Sequence, residues 1–320
     1  MAHILVAGQI HGAGIDILDA EPGVTFDYVE EVSERSYAPL IGGADALVLR
    51  TQPLSAGILS AAARLKVVSR HGVGHDAVDL EALNERGVAL MVVGDLNATS
   101  VAEHAMMMIL ACAKRALMAD SAVRKGDWSW RNDLQAVELA GKNLLIIGYG
   151  RAGRRLAAMA SAFGMQVGAY DPVVAAGKWP AGPAVPIYDL VEALGWADMI
   201  SLHVPRTDRP LIGAAEIRAM KSTAILVNTA RGGVVDETAL ADALVSGRLA
   251  GAGVDVFEKE PPLVDQELFR CGQLLVSPHI AGLTAECAER MAAASVRNAL
   301  DYLAGKADPD LIVNRPDLHG

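Results

Sequence analysis

The fold class predicted is α/β, two doubly wound parallel-sheet domains, and three observations predict it. Apolar runs recur at short intervals, helical patterns separate them, and the runs are continuous rather than alternating. In chain order they are "HILVAG", "ALVLR", "LKVVSRHG" and "VALMVVG", then "NLLIIGYG", "QVGAYD", "MISLHVP", "AILVNTA", "GAGVDVF" and "LLVSPHI". A strand apolar at every position is buried on both faces, as in a parallel sheet whose helical crossovers cover both sides. At 320 residues the chain is long enough for about two such domains.

Composition narrows the class further. Hydrophobic residues make up 52% of the chain and aromatics 4%, so Ala, Val, Leu, Ile and Met must build the cores. A net charge of −10 argues against a nucleic-acid partner, which would require clustered Lys and Arg. Cys112, Cys271 and Cys287 are odd in number and widely spaced, which suits a reducing cytoplasm and offers no metal site. The opening "MAHILVAGQ" enters a strand run without the pattern of a signal peptide. The longest apolar stretch, "AMMMILACA", is too short to span a bilayer. A soluble cytoplasmic protein, without membrane contact, is expected.

One segment breaks the strand–helix rhythm. From Asn97, "NATSVAEHAMMMILACAKRALMADSAVRKGDW" reads as one long helix, with Ser100 and Glu103 at capping-box spacing. Its Met-rich face suits core or subunit interface, and the helix suits a domain connector. From about Glu286 the chain is again helical, followed by a polar tail. With no strand of its own, that helix is expected to pack back on the first half.

Three glycine pairs are candidates for the dinucleotide fingerprint G-x-G-x-x-G/A. "HGAGIDI" puts Ile17 in the third slot and is discarded. "HGVGHDA" fits at Gly72, Gly74 and Ala77, with Asp95 18 positions later; "GYGRAG" fits at Gly148, Gly150 and Gly153, with Asp171 18 positions later. Context separates them, because only the second has a clean buried strand, a full helix and a second strand ending in the acid. There the amides of Arg151 and Ala152 would meet a pyrophosphate at a helix N-terminus. Asp171 would accept hydrogen bonds from the adenosine ribose, which favours NAD over NADP. Gly72–Gly74 is either a tight turn or a nest of amides for another anion.

Hydride transfer at a carbonyl carbon requires a general acid/base, a group that tunes it, and a cation that polarises the carbonyl. The strand ends of the second half supply these types. Arg231 follows "ILVNTA" ahead of a helix capped at Asp236, Asp255 ends "AGVDV", Glu260 lies in the next loop, and His279 follows "LLVSP". A histidine in so apolar a run is commonly a buried, satisfied one. Glu260 and Arg231 on neighbouring loops point instead to an imidazolium held for proton transfer.

The ordered set "GKNLLIIGYGRAG", "HVPRT", "NTARGGVVDETAL", "GAGVDVFEKEPP" and "SPHIAGLT" resembles the D-isomer-specific 2-hydroxyacid dehydrogenases over nearly the whole chain. The resemblance implies a small 2-hydroxyacid or 2-oxoacid as substrate and NAD as cofactor. By it, Arg231 binds the substrate, Glu260 supports the histidine and His279 is the acid/base. Asp255 would hold the nicotinamide carboxamide, Thr229 and Ala230 would line its ring, and His203, Val204, Pro205 and Thr207 would border the adenosine. Gly282 belongs to the same cofactor set.

The resemblance also implies a Rossmann nucleotide-binding domain over 99–286 and a flavodoxin-like substrate domain over 1–98 and 287–320. In the latter, Gly72, Val73 and Gly74 would meet the substrate carboxylate. A homodimer through the nucleotide domains and the connecting helix is expected. "LVLRT" and "VVSRHGVGHD" look most like the phosphoglycerate dehydrogenase branch, with Arg50 and Arg70 near a substrate phosphate; solvated or ion-paired arginines are the alternative. At 320 residues, the regulatory domain many of that branch carry is not expected. His71, His75, Ala152 and Arg206 depart from the usual pattern. An NAD(H)-sensing regulator and a formate- or phosphite-type dehydrogenase are the competing functional readings.

Overall fold

The computed structural model describes residues 1–315; the last five, part of the polar tail, lie outside the described residues. In chain order the elements are β1 (Ala2–Ala7), α1 (Gly12–Ala20), β2 (Val24–Val29), α2 (Glu34–Tyr37), β3 (Ala46–Leu49), α3 (Ala56–Ala61), β4 (Val67–Arg70), α4 (Leu80–Glu85) and β5 (Ala89–Met91). Then come α5 (Ala98–Ala113), α6 (Ala116–Arg124), β6 (Asn143–Ile147), α7 (Arg151–Ala162), β7 (Gln166–Tyr170), α8 (Pro172–Ala175), β8 (Val185–Pro186), α9 (Leu190–Trp196) and β9 (Met199–Leu202). The chain closes with α10 (Ala214–Ala219), β10 (Ile225–Asn228), α11 (Glu237–Val245), β11 (Gly251–Val254), β12 (Leu274–Val276) and α12 (Ala285–Leu303). It divides into two compact units, Met1–Asn97 with the segment from Leu283 onward, and Ala98–Gly282.

The first unit holds a parallel sheet in the order β2-β1-β3-β4-β5. Leu5 and Ala7 of β1 enter one core, whereas Ile4 and Val6 enter the other with Ala292, Val296 and Ala299 of α12. The two-residue period thus buries both faces, which is why Ile4 to Ala7 carry no polar side chain. The second unit holds the order β12-β11-β10-β9-β6-β7-β8, all parallel, and β6 divides likewise into Leu145/Ile147 and Leu144/Ile146. Two strands escaped the apolar-run criterion. β2, "VTFDYV", is a half-exposed edge strand, and β8 has two residues. Among the described residues no helix is long and apolar enough to cross a membrane.

The single helix expected from Asn97 is two. Arg115 takes a left-handed conformation, φ +53, and its Nη1 donates to the Ala250 carbonyl at 2.8 Å. That break lets α5 press Met108, Ile109 and Cys112 into the core while α6 runs near the surface. The capping box at Ser100 is also corrected, because the helix begins at Ala98 and buries Ser100 inside its first turn. Met106 and Met108 are core, whereas Met107 is exposed.

In the first unit, His71 follows β4 with 6% of its surface exposed, and among the described residues neither ring nitrogen has a partner in good hydrogen-bond geometry. Burial, then the charge of Arg50 and that of Arg70, push its imidazole down to about 4. A free histidine titrates near 6.5, so below about pH 6.5 the unfolded chain takes up a proton that the folded chain refuses until about pH 4. Stability is therefore lost as pH falls through that window, by up to about 3 kcal/mol. His71→Leu is expected to shrink the drop in urea midpoint between pH 7 and pH 4.5; an equal drop in both proteins would clear His71 of this role.

Candidate active site

In the second unit the loops after β10, β11 and β12, adjacent strands, bring Arg231, Glu260 and His279 into one neighbourhood. Glu260 Oε2 lies 2.7 Å from His279 Nδ1, and Oε1 accepts the Phe257 amide at 2.9 Å. Burial alone would raise the Glu260 carboxyl. The hydrogen bonds from His279 and Phe257, with the charges of His279 and Arg231, outweigh it and hold the group below its ordinary value. Glu260 is thus ionised and only accepts, so Nδ1 is the donor. His279 itself is no buried core histidine: 52% of its side chain is exposed.

Two residues that sequence reasoning passed over shape the arginine turn and its contact with the Glu260 loop. Asn228 ends β10 buried; its Oδ1 accepts the Ala230 amide and its Nδ2 donates to the Arg231 carbonyl, both at 3.0 Å. A Cβ on Gly232 would stand 1.7 Å from the Phe257 carbonyl oxygen, so only glycine lets the arginine turn touch the Glu260 loop. The "RGG" run could have signalled such a close approach. Arg231 Nη1 donates to the Ala230 carbonyl at 2.6 Å, and Asp236 caps α11 through the Ala239 amide as expected. Asp255, expected to hold a carboxamide, is wholly buried; its carboxylate accepts from Ser277 and from the amides of Ile280 and Ala281. Gly282 ends this unit.

The fingerprint glycines do three different things. Gly148 has φ +96, and a Cβ there would stand 2.4 Å from the His203 carbonyl oxygen. Gly150 has nothing within 4 Å of its missing Cβ, whereas one on Gly153 would stand 2.3 Å from Gly148 O and 3.0 Å from Ile146. The first makes the turn, the second keeps the approach open, and the third lets α7 lie on β6. The turn lies between β6 and β9, where the strand order reverses, and α7 starts at Arg151 and Ala152 with no side chain capping its amides. Beside β9 and β10 the hydroxyls of Thr207 and Thr229 are buried without a hydrogen-bond partner among the described residues. An open glycine, uncapped amides and orphaned hydroxyls fit a dinucleotide. His203 Nε2 lies 2.9 Å from Ser201 Oγ, and Val204 and Pro205 continue its loop. Ala230 is buried. Asp171 accepts the Tyr149 amide on Oδ2 and caps α8 by accepting the amides of Val173 and Val174 on Oδ1.

In the first unit, Arg70 bridges its own loop, Nε donating to Gly74 O at 2.8 Å and Nη1 to Leu49 O at 3.0 Å. Arg50 Nη1 donates to Gln9 O at 2.6 Å. Gly72 has φ +153, Val73 and Gly74 are half-buried, and α4 starts only at Leu80, so this glycine pair opens no helix.

Residues 106–281 match the family model for the D-isomer specific 2-hydroxyacid dehydrogenase, NAD binding domain. The chain belongs to the D-isomer specific 2-hydroxyacid dehydrogenase family, and its second unit carries that family's NAD-binding domain. It is 41% identical over 272 residues to the D-3-phosphoglycerate dehydrogenase of Mycobacterium leprae, covering 84% of this chain and 51% of that protein. It is 38% identical over 267 residues to the hydroxypyruvate reductase of Thermotoga maritima, covering 82% and 86%. The crystal structure of the TT0316 protein from Thermus thermophilus superposes with a TM-score of 0.88 at 33% identity, covering 97% and 99%. The chain spans about half the length of the phosphoglycerate dehydrogenases it matches.

Proposed function

We propose that this chain is an NAD-dependent D-2-hydroxyacid dehydrogenase that interconverts a 2-oxoacid and its D-2-hydroxyacid. The observation that carries the reading is the exposed His279 bonded through Nδ1 to an ionised Glu260 at 2.7 Å. With Nδ1 donating to Glu260, Nε2 carries a proton only in the imidazolium, the form that serves as an acid. In reduction, NADH when bound supplies the hydride to C2. His279 gives its Nε2 proton to the oxo oxygen as that oxygen becomes the hydroxyl, and Glu260 stabilises the imidazolium before the transfer. Arg231 binds the substrate carboxylate and draws charge from the oxo oxygen.

On this reading Gly148, Gly150, Gly153, Arg151 and Ala152 hold the pyrophosphate, Asp171 the ribose, and His203, Val204, Pro205 and Thr207 the adenosine side. Thr229, Ala230, Asp255 and Gly282 serve the nicotinamide end. The first unit is the substrate domain, with Gly72, Val73 and Gly74 on the carboxylate and Arg50 and Arg70 near a distal phosphate. The relatives' names favour phosphohydroxypyruvate or hydroxypyruvate as oxoacid. The enzyme works in the cytoplasm as a homodimer, a state supported by the exposed apolar residues Leu117, Val123, Trp128 and Leu134 of the second unit.

The test is a steady-state screen of phosphohydroxypyruvate, hydroxypyruvate and glyoxylate with NADH and with NADPH. NADH oxidation with at least one, and preference for NADH, are expected; silence across the panel would sink the reading. Asp171→Asn keeps the helix cap but removes the charge that repels a 2′-phosphate. It should narrow the NADH/NADPH ratio of kcat/KM about ten-fold, and an unmoved ratio would take Asp171 out of cofactor selection.

A further inference from the structure

The turn that carries His279 is held by Asp255, given above to the nicotinamide end, and behind it by Ser277 and His104, which the proposed reaction leaves unused. His279 has φ +55, a left-handed conformation disfavoured for any residue with a Cβ. Its amide donates to the Asp255 carbonyl at 2.8 Å, and the Asp255 carboxylate accepts the Ile280 amide on Oδ1 and the Ala281 amide on Oδ2, each at 2.9 Å. The clamp is therefore one buried carboxylate, and whatever orients that carboxylate orients the turn. Ser277 Oγ lies 2.5 Å from Oδ1, and His104 Nε2 lies 2.9 Å from Ser277 Oγ and 3.7 Å from Oδ1. The direction of these bonds follows from the donor inventory. Ser277 Oγ donates its single hydroxyl proton to Asp255, so toward the ring it can only accept, and His104 Nε2 must donate to it.

From this geometry we infer that His104, on α5, is a positioning residue: through Ser277 and Asp255 it sets the turn that aims the His279 imidazole at the substrate oxygen. The inference rests on the dehydrogenase reading of His279. Glu260 anchors the ring at Nδ1 only, so the direction of Nε2 depends on the backbone that the clamp holds. An imidazole swung off line lowers turnover without loosening the cofactor, because the fingerprint glycines and Asp171 lie on other loops.

The experiment compares His104→Leu, His104→Gln and Ser277→Ala in the full chain, with two readouts. Gln places an amide donor near the position of Nε2, whereas Leu only fills space. Amide hydrogen exchange at Ile280 and Ala281 is expected to quicken about ten-fold or more in His104→Leu and Ser277→Ala, and to stay near wild type in His104→Gln. The α7 amides serve as the control for global unfolding. In the active enzyme kcat falls about ten-fold in the first two variants, with KM and the Kd of NADH within about two-fold, and His104→Gln recovers it. Unchanged exchange at Ile280 and Ala281, or the same result for Gln and Leu, overturns the inference. A wild-type protein that reduces no 2-oxoacid defeats the functional reading instead, and the exchange measurement still decides whether His104 holds the turn.

Discussion

His279→Ala is expected to lower kcat for 2-oxoacid reduction by about 10³-fold while leaving the Kd of NADH within about two-fold. The loss has two sources. The proton donor is gone, and Glu260 is left as a half-buried carboxylate without the imidazole that pairs with it at 2.7 Å. The cofactor contacts survive because the glycine turn after β6 and Asp171 after β7 stand on other loops. NADH fluorescence titration and single-turnover rates separate the two quantities. A variant turning over within about ten-fold of wild type would show that another group moves the proton.

The second large effect concerns Arg231. Arg231→Gln should lower kcat/KM by about 10³-fold, through a higher KM and a lower kcat together, because one guanidinium both holds the carboxylate and polarises the oxo group. The turn itself should persist, since Asn228 binds it through Ala230 N and Arg231 O, backbone groups that the substitution keeps. Arg231→Lys should recover little, because a point charge does not reproduce the planar fork of donors. Full activity in the lysine variant would reduce Arg231 to a general positive charge.

Much of the fold was legible because both faces of each central strand are buried, which writes continuous apolar runs into the chain. β2 was illegible for the opposite reason: at the sheet edge its side chains are half-exposed, and no such run is needed. The break at Arg115 was also hidden. Helical periodicity runs straight through "ACAKRALM", and the left-handed residue is held by a carbonyl, that of Ala250, more than a hundred residues away. At the candidate site, Arg231, Glu260 and His279 were legible as residue types at strand ends. Ser277 and His104 were not, since their work lies in bonds between segments distant in sequence, and Asn228 was not, since its bonds to Ala230 and Arg231 depend on the shape of the turn.

The sequence by itself determined the parallel α/β class, the glycine turn opening α7, and the three side chains on offer for proton transfer and anion binding. Periodicity, glycine spacing and residue chemistry are local properties, and local properties can be read along a chain. Only the tertiary structure decided that His279 is exposed rather than buried, that Glu260 meets its Nδ1, and that Asp255 spends its carboxylate on the turn behind it. Those facts depend on strand order. Placing β10, β11 and β12 side by side sets their loops against one another, and long-range packing chooses that order.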